Sequence, residues 1–368
     1  MTIRYTPPDF TKSPLATAPA ARTARVERDG VLPEGFFATT NLPTYVKNPD
    51  GSWVLPREPR MDGVLVRGAD GVWWVREGRR VKAGDDVVVG TAEDGSEGVL
   101  LHARGFSGEA AADGEFHFMS SSVSREKPID YAQIARMLVE EKRRGGHVLW
   151  VTGPALVHSR ARDNLVWFIR NGYVQALLAG NAVAVHDIEA ATVGTTLGMT
   201  SDGDPTAGGH SAHMRAINAV RRAGSIKAAV EQGIIKDGIM HACVVEGVPF
   251  VLGGSIRDDG PLPDVYTDAV QAQDATRAHT VKATMAVMIA TALHSIAVGN
   301  MLPAYYEHPQ RGLQELPTIC VDASEFLVSK LKDRGTHQAI GVVTNAQDFM
   351  SILRSAVEKA VQESDVAP

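Results

Sequence analysis

Beyond about residue 125, short apolar runs alternate with helix-length segments, and each run closes on glycine or a small polar residue. His147–Thr152 (HVLWVT) gives way to Gly153-Pro154-Ala155, and Tyr173–Ala179 (YVQALLA) to Gly180-Asn181-Ala182. VPFVL is followed by Gly253-Gly254-Ser255, TICV by Asp322-Ala323-Ser324, and AIGVV by Thr344-Asn345. Continuous apolar runs suit strands buried on both faces, and their alternation with helices builds βαβ units. The expected fold class is therefore α/β, with a doubly wound parallel sheet. Ligands of such sheets bind outside the carboxyl ends of the strands, so the closing residues share one candidate edge.

Helices are expected at Ile129–Arg144, Ser159–Asn171, Ala212–Arg222, Ser225–Gln232, Ser324–Arg334 and Ala346–Gln362. Gly145-Gly146 and Gly172 supply ordinary C-terminal stops. His241–Val245 and Val248–Leu252 read as two strands across the Glu246-Gly247 turn, and Asp268–Met301 as one long, mostly helical stretch. Its most apolar part, Ala283–Leu302, contains His294, Ser295 and Asn300, and is expected as a buried core helix rather than a membrane span.

The character before residue 120 is different. Runs such as Gly63–Val66, Val72–Val75, Asp86–Val89 and Val99–Leu101 alternate with Asp50-Gly51, Asp62-Gly63, Asp70-Gly71, Gly84-Asp85 and Asp94-Gly95. Asp-Gly between β-type runs is hairpin chemistry, so a small antiparallel β domain is expected over 29–119. Residues 1–28, rich in Pro, Ala and Thr, read as a loose arm, and 125–368 as the α/β domain. The arm lacks the apolar core of a leader peptide, which makes a cytoplasmic protein the expectation.

Lys and Arg total 37 against 43 Asp and Glu, a net charge of −6 with no long basic run. That excludes a nucleic-acid partner held through its phosphates. Cys243 and Cys320 form no CxxC pair, so neither a disulfide framework nor a thiol metal site is expected. There is no GxGxxG, Walker loop, HExxH or Ser-His-Asp arrangement.

Asp322 ends a strand and opens a helix, where a carboxylate can accept ribose hydroxyls or simply cap the helix. Its helix ends near Asp333 and Thr336, which can return polar groups to the same edge. In the loop Gly253–Asp264, glycine and proline hold Arg257 beside Asp258, Asp259 and Asp264. The guanidinium could clamp a substrate carboxylate, and a neighbouring Asp could receive an ammonium group or its proton; a solvated turn is the plain alternative. His186-Asp187-Ile188-Glu189 offers a histidine beside acids, and Gly208–His213 a candidate substrate loop, although each fits a structural role as well.

Longer motifs then narrow the field. PEGFFATTNLPTYV (Pro33–Val46), the whole of Gly153–Glu189, GTTLGM (Gly194–Met199), VPFVLGGSIRDDGPLPDV (Val248–Val265), LHSIAVGNMLPA (Leu293–Ala304) and Cys320–Asn345 recur together. Over roughly residues 30–360 the chain resembles the archaeal-type ornithine cyclodeaminase family, also described as the LOR/SDH bifunctional enzyme conserved domain. It is similar to the C-terminal domain of cyanobacterial arginine dihydrolase/ornithine cyclodeaminase fusions.

The resemblance implies a deoxyhypusine-synthase-like NAD-binding domain over 125–368, tightly held NAD, and a homo-oligomer, dimer or tetramer. It also implies that the β domain contributes to the substrate site. The implied reaction belongs to proline biosynthesis: L-ornithine, or a related basic amino acid, loses ammonia and closes to L-proline or a cyclic imino acid. Asn41, Arg257, Asp258 and Asp259 are then the candidates for the amino-acid site. Gly153, Gly180, Asn181, Ala182, Asp322, Asp333 and Thr336 are the candidates for the cofactor. A dehydrogenase or imine reductase with net redox change, and a non-catalytic NAD or amino-acid binder, remain as alternatives.

Overall fold

The computed structural model describes residues 5–106, 129–200, 203–258, 260–335 and 339–366. The chain divides into two units: the described parts of Met1–Lys127, Gly299–Pro317 and Arg334–Gln338 form one, and those of Pro128–Val298, Thr318–Asp333 and Ala339–Pro368 the other.

The first unit is built of short antiparallel strands. β1 (Arg22–Arg25), β2 (Thr44–Lys47), β3 (Trp53–Val54), β4 (Val64–Arg67), β5 (Trp73–Arg76), β6 (Asp86–Val89) and β7 (Val99–Leu101) form two sheets, ordered β1-β6-β4-β5 and β3-β2-β7. Gly51, Gly71 and Gly95 follow aspartates at φ between +79° and +91°, the left-handed region their turns need. Phe37, Val46, Leu65, Trp73 and Val88 fill one core of this unit. A hairpin, β13 (Tyr305–His308) with β14 (Gly312–Glu315), joins the same unit from late in the chain.

The expected loose arm is instead tied down. β1 pairs with β6, Val26 is buried, and Lys47 Nζ donates to the carbonyls of Leu15, Ala16 and Ala18. A buried ammonium needs such acceptors, so the polar arm is ordered by what it supplies to Lys47.

The second unit carries a seven-stranded parallel sheet in the order β11-β10-β9-β8-β12-β15-β16. The strands are β8 (Val148–Thr152), β9 (Ala176–Gly180), β10 (Phe250–Gly253), β11 (Val265–Tyr266), β12 (Met285–Ile289), β15 (Thr318–Asp322) and β16 (Ala339–Val343). Every residue of β8 and β12 is buried, as central strands covered on both faces must be. Helices α1 (Tyr131–Arg143), α2 (Ala155–His158), α3 (Arg162–Arg170), α4 (Asn181–Val193), α5 (Ala212–Ala223), α6 (Ile226–Glu231), α7 (Ile239–Val245), α8 (Ala269–Thr280), α9 (Ala292–Met301), α10 (Glu325–Gly335) and α11 (Ala346–Val366) link these strands and flank the sheet. Trp150, Phe168, Leu165, Leu177, Ile289 and Phe349 lie in its core, each worth about 1.5–3 kcal/mol of burial.

Two expectations are corrected. His241–Val245 lies in α7, not in a strand. Asp268–Met301 is not one helical stretch, because Met285–Ile289 forms β12, hydrogen-bonded to β8 on one side and β15 on the other. Ala and Met favour helix, yet a slot between two strands offers this segment backbone partners that a helix there could not use.

Candidate active site

The chain enters the sheet at β8, works outward through β9, β10 and β11, then returns to the other side of β8 with β12. The strand order therefore reverses between β8 and β12, the place where doubly wound sheets open a crevice at the carboxyl edge. Gly153 and Ala290 follow these two strands. Gly153 N–H donates to the Ile289 carbonyl at 2.9 Å, and a Cβ on Gly153 would stand 1.8 Å from the Ala290 oxygen. Ala290 itself sits at φ +54°, a left-handed conformation that costs a non-glycine residue about 1–2 kcal/mol. The backbones thus meet at the crevice floor with no room for a side chain.

Two buried hydroxyls belong to the elements that bound this crevice. Thr152, the last residue of β8, and Ser295, in the first turn of α9, each have an Oγ with no hydrogen-bond partner among the described residues. Buried hydroxyls are normally satisfied, so these are two places where a ligand can supply the missing partner.

Gly180 ends β9 and stands at the N-cap of the thirteen-residue α4, with no side-chain cap. Asn181 and Ala182 open the helix, whose free N–H groups and dipole favour an anion. Asn181 also holds the next loop: its Nδ2 donates to Asp258 Oδ1 at 2.9 Å, and its Oδ1 accepts from Leu262 N at 3.1 Å.

The Gly253–Asp264 loop is consequently less free than its composition suggests. The other Asp258 oxygen accepts from Ser255 N at 2.7 Å, and Asp264 Oδ2 accepts from Ile226 N at 2.8 Å. Burial pushes the Asp264 carboxyl up. Both carboxylates hold backbone, whereas Arg257 is exposed. Asp259 lies outside the described residues.

At the far side, Asp322 ends β15 and its Oδ1 accepts from Ser324 N at 2.9 Å, a turn at the start of α10. One oxygen thus serves the helix start. Asp333 lies in α10 but its side chain, like the whole of Thr336, is outside the described residues. Asn41 belongs to the first unit, where its carbonyl accepts from Ala304 N at 2.8 Å. Its buried amide nitrogen finds no acceptor among the described residues.

His294 is the residue that sequence reasoning left as structural. It lies in the first turn of α9, with Nδ1 3.5 Å from Thr291 Oγ1. A Cβ on Gly180 would stand 3.0 Å from its Cε1, and one on Gly253 3.3 Å from its Nε2. Glycines at the ends of β9 and β10 therefore make room for an imidazole arriving from beyond β12. The merging of β12 and α9 into one expected helix hid this; the lone Ala-Thr break at Ala290-Thr291 is the only local signal.

The acidic cluster after Asn181 is structural. Asp187, fully buried, accepts from Arg162 Nε at 2.6 Å and from the Ile239 and Met240 N–H groups at 2.9 and 2.8 Å. Glu189 accepts from Thr195 Oγ1, Leu197 N and Gly198 N, pinning the GTTLGM turn. Burial alone would raise its carboxyl, but these bonds and His186 hold it below the usual range. Because α4 runs back from the carboxyl edge, the segment after it, which carries His210, starts from the opposite end of the sheet, and His213 lies in the first turn of α5 rather than in a loop. A separate cleft of about 1130 Å³ lies within the first unit, between Tyr5, Tyr45, Leu55, Glu307, Arg311 and Gln314; it contains none of the expected site residues. Among the described residues no cluster of His, Cys, Asp and Glu is arranged to hold a metal, and no helix is long and apolar enough to cross a membrane.

Comparison with known proteins bears on this edge. Residues 132–353 match the family described as arginine dihydrolase ArgZ-like, C-terminal, Rossmann fold, and residues 43–132 its C-terminal first region. A protein of Methanopyrus kandleri named ornithine cyclodeaminase is 45% identical over 327 residues, 88% of this chain and 74% of that protein. A crystal structure of a conserved LOR/SDH protein from Methanococcus maripaludis superposes with a TM-score of 0.82 at 40% identity, covering 93% of this chain and 99% of that one. The ternary complex of AgrE with ornithine and NAD⁺ gives a TM-score of 0.59 at 36% identity, covering 95% of this chain and 47% of AgrE.

Proposed function

The chain belongs to the arginine dihydrolase ArgZ-like C-terminal family, and from that premise we propose that it is an NAD-dependent ornithine cyclodeaminase. The substrate is L-ornithine or a related basic amino acid, and the products are ammonia and L-proline or the corresponding cyclic imino acid. The observation that carries the reading is the crevice between β8 and β12, with its glycine floor and its two unpartnered hydroxyls. Relatives named for the same activity, and one solved with both ornithine and NAD⁺, point the same way.

The residues present fit a dinucleotide. Gly153 lets backbone approach closely, Thr152 and Ser295 lack partners, and α4 offers uncapped N–H groups to a pyrophosphate. Gly180, Asn181 and Ala182 would hold the phosphates, and Asp322 the ribose; Asp333 and Thr336 complete the proposed set. When bound, the cofactor supplies a reversible hydride acceptor, so the overall reaction is redox-neutral. A carboxylate at Asp322 favours NAD over its 2′-phosphorylated form, which it would repel.

The chain's own part is orientation and proton handling. Arg257 is exposed on a loop braced by Asn181 and by Arg221, whose Nη2 donates to the Pro261 carbonyl at 2.9 Å. In this reading its guanidinium clamps the substrate carboxylate through two parallel bonds. Asp258, with both oxygens engaged, holds that loop in shape, and Asn41 has an unsatisfied amide to offer the amino acid.

The test is direct. The purified protein is denatured and its released small molecules weighed, and native protein is incubated with L-ornithine and NAD⁺. Bound NAD, equal proline and ammonia, and no net change in reduced-nicotinamide absorbance are expected. Accumulating NADH would replace the reading with a dehydrogenase, and bound NAD without turnover of any basic amino acid would remove the cyclodeaminase assignment.

A further inference from the structure

The imidazole of His294 is the titratable side chain brought over the ends of β9 and β10 from another element, and the fold makes three concessions to it. Gly180 and Gly253, on adjacent strands, leave the space its ring occupies. Ala290 takes a left-handed backbone in the turn that launches α9. Thr291 places a hydroxyl 3.5 Å from Nδ1. A histidine that only filled a gap would not require glycine on two neighbouring strands facing its Cε1–Nε2 edge.

We propose that His294 is the proton-transfer residue of this crevice, taking a proton from the substrate's α-ammonium group and returning it to the departing ammonia. The inference rests on the cyclodeaminase reading and deepens it. The α-nitrogen must lose a proton before its lone pair can assist departure of hydride from Cα. Nε2 accepts that proton. The side-chain amine, having given its own proton to solvent, closes the ring and passes a proton to the α-nitrogen. The ammonia so displaced takes the proton from Nε2 and leaves as ammonium. The imidazole ends neutral, and the proline nitrogen regains the solvent proton. The hydride removed from Cα is the one returned to the cyclic imine, so no further oxidant or reductant is consumed.

For this role the imidazole must be neutral and must present a lone pair at Nε2. Burial lowers its basicity, and no charged side chain among the described residues contributes to that shift. The recorded surroundings fit: Thr291 offers a neutral hydroxyl, and the ends of β9 and β10 facing the ring are glycine. The proposal requires the tautomer in which Nδ1–H donates toward Thr291 Oγ1, which leaves the lone pair on Nε2. Among the described residues, Asp258 and Asp264 are engaged by backbone and Asp187 by Arg162.

Two measurements test it. In the first, proline formation by the wild type and by His294→Asn and His294→Gln is followed from pH 5 to 9, with NAD content and melting temperature measured alongside. The expected result is a loss of kcat of about 10²-fold or more, the range of general acid–base catalysis, with NAD content and ornithine KM little changed. The acid limb of the wild-type profile should vanish, and added imidazole should restore part of the rate to His294→Gly. In the second, ¹⁵N imidazole spectra of the wild type at neutral pH should show His294 protonated at Nδ1 and bare at Nε2. A protonated Nε2 would overturn the proposal even if the variants fail to fold. If the wild type makes no proline, the cyclodeaminase reading fails and this inference with it. Proline from wild type and variants alike, with the same acid limb, would overturn this inference alone.

Discussion

Replacing Gly153 with alanine probes the junction on which both fold and crevice depend. The new methyl would stand 1.8 Å from the Ala290 carbonyl oxygen and 2.6 Å from its carbon, against an ordinary contact of at least 3.4 Å. The deficit is 3.4 − 1.8 = 1.6 Å, and the obstacle is backbone. Ala290 cannot swing aside cheaply, because its N–H donates to Val321 at 2.9 Å and its φ is already +54°. Overpacking usually costs 1–3 kcal/mol, and a clash with immobile backbone belongs at or above the top of that range, about 3 kcal/mol. For a unit of this size each kcal/mol lowers the melting temperature by about 2–4 °C, so a fall of roughly 6–12 °C is expected. Calorimetry of the purified variant reads it directly, and NAD content should fall as the crevice floor is pushed apart. Gly253→Ala is the control: its methyl would meet only the His294 Nε2 end, at 3.3 Å, and Ala179 O at 4.0 Å. A Gly153→Ala protein that melts within 2 °C of wild type and carries its full NAD would refute the reasoning.

Other perturbations have equally definite outcomes. Asp187→Asn should destabilise by about 1–3 kcal/mol, because an amide cannot accept at both ends from Arg162, Ile239 N and Met240 N, while Arg162 keeps its pair with Asp237 at 2.6 Å; a urea midpoint equal to wild type would contradict this. Arg257→Ala should raise KM for ornithine by about 10–100-fold, the worth of a charge-assisted clamp, while NAD content stays constant; unchanged steady-state kinetics would remove the clamp. Acid sensitivity should trace in part to His147, stacked 6.0 Å from His279. Burial, with the positive charge available on His279 and Lys282, pushes its basicity down to about 4. The folded chain therefore rejects a proton that the unfolded chain accepts near pH 6.5, and stability declines as pH falls from about 6.5 toward 4. His147→Phe should flatten the melting temperature across that window, and identical slopes would count against it.

Much of the architecture was legible in the chain. Apolar runs too continuous for one-sided burial announced a parallel sheet, and glycine, asparagine or aspartate after each run marked a common edge. Asp-Gly pairs likewise announced the short antiparallel strands from Thr44 to Leu101, because a hairpin turn needs φ > 0 at a position the local sequence must supply. These features depend on residues within a turn or two of one another.

What lay beyond local reach was decided only by tertiary structure. Met285–Ile289 is a strand because β8 and β15 offer it backbone partners, although its own residues would as readily form helix. Once that strand is in place, α9 begins afresh at Ala292, and His294 comes to the ends of β9 and β10, more than 110 residues and 40 residues away in sequence. The same holds for Asp258, whose polarity suggested a free acid until Asn181 and Ser255 took both its oxygens. Residue type specifies what a side chain can do; which atoms are left unpartnered to do it depends on neighbours far along the chain, and packing alone brings those neighbours together.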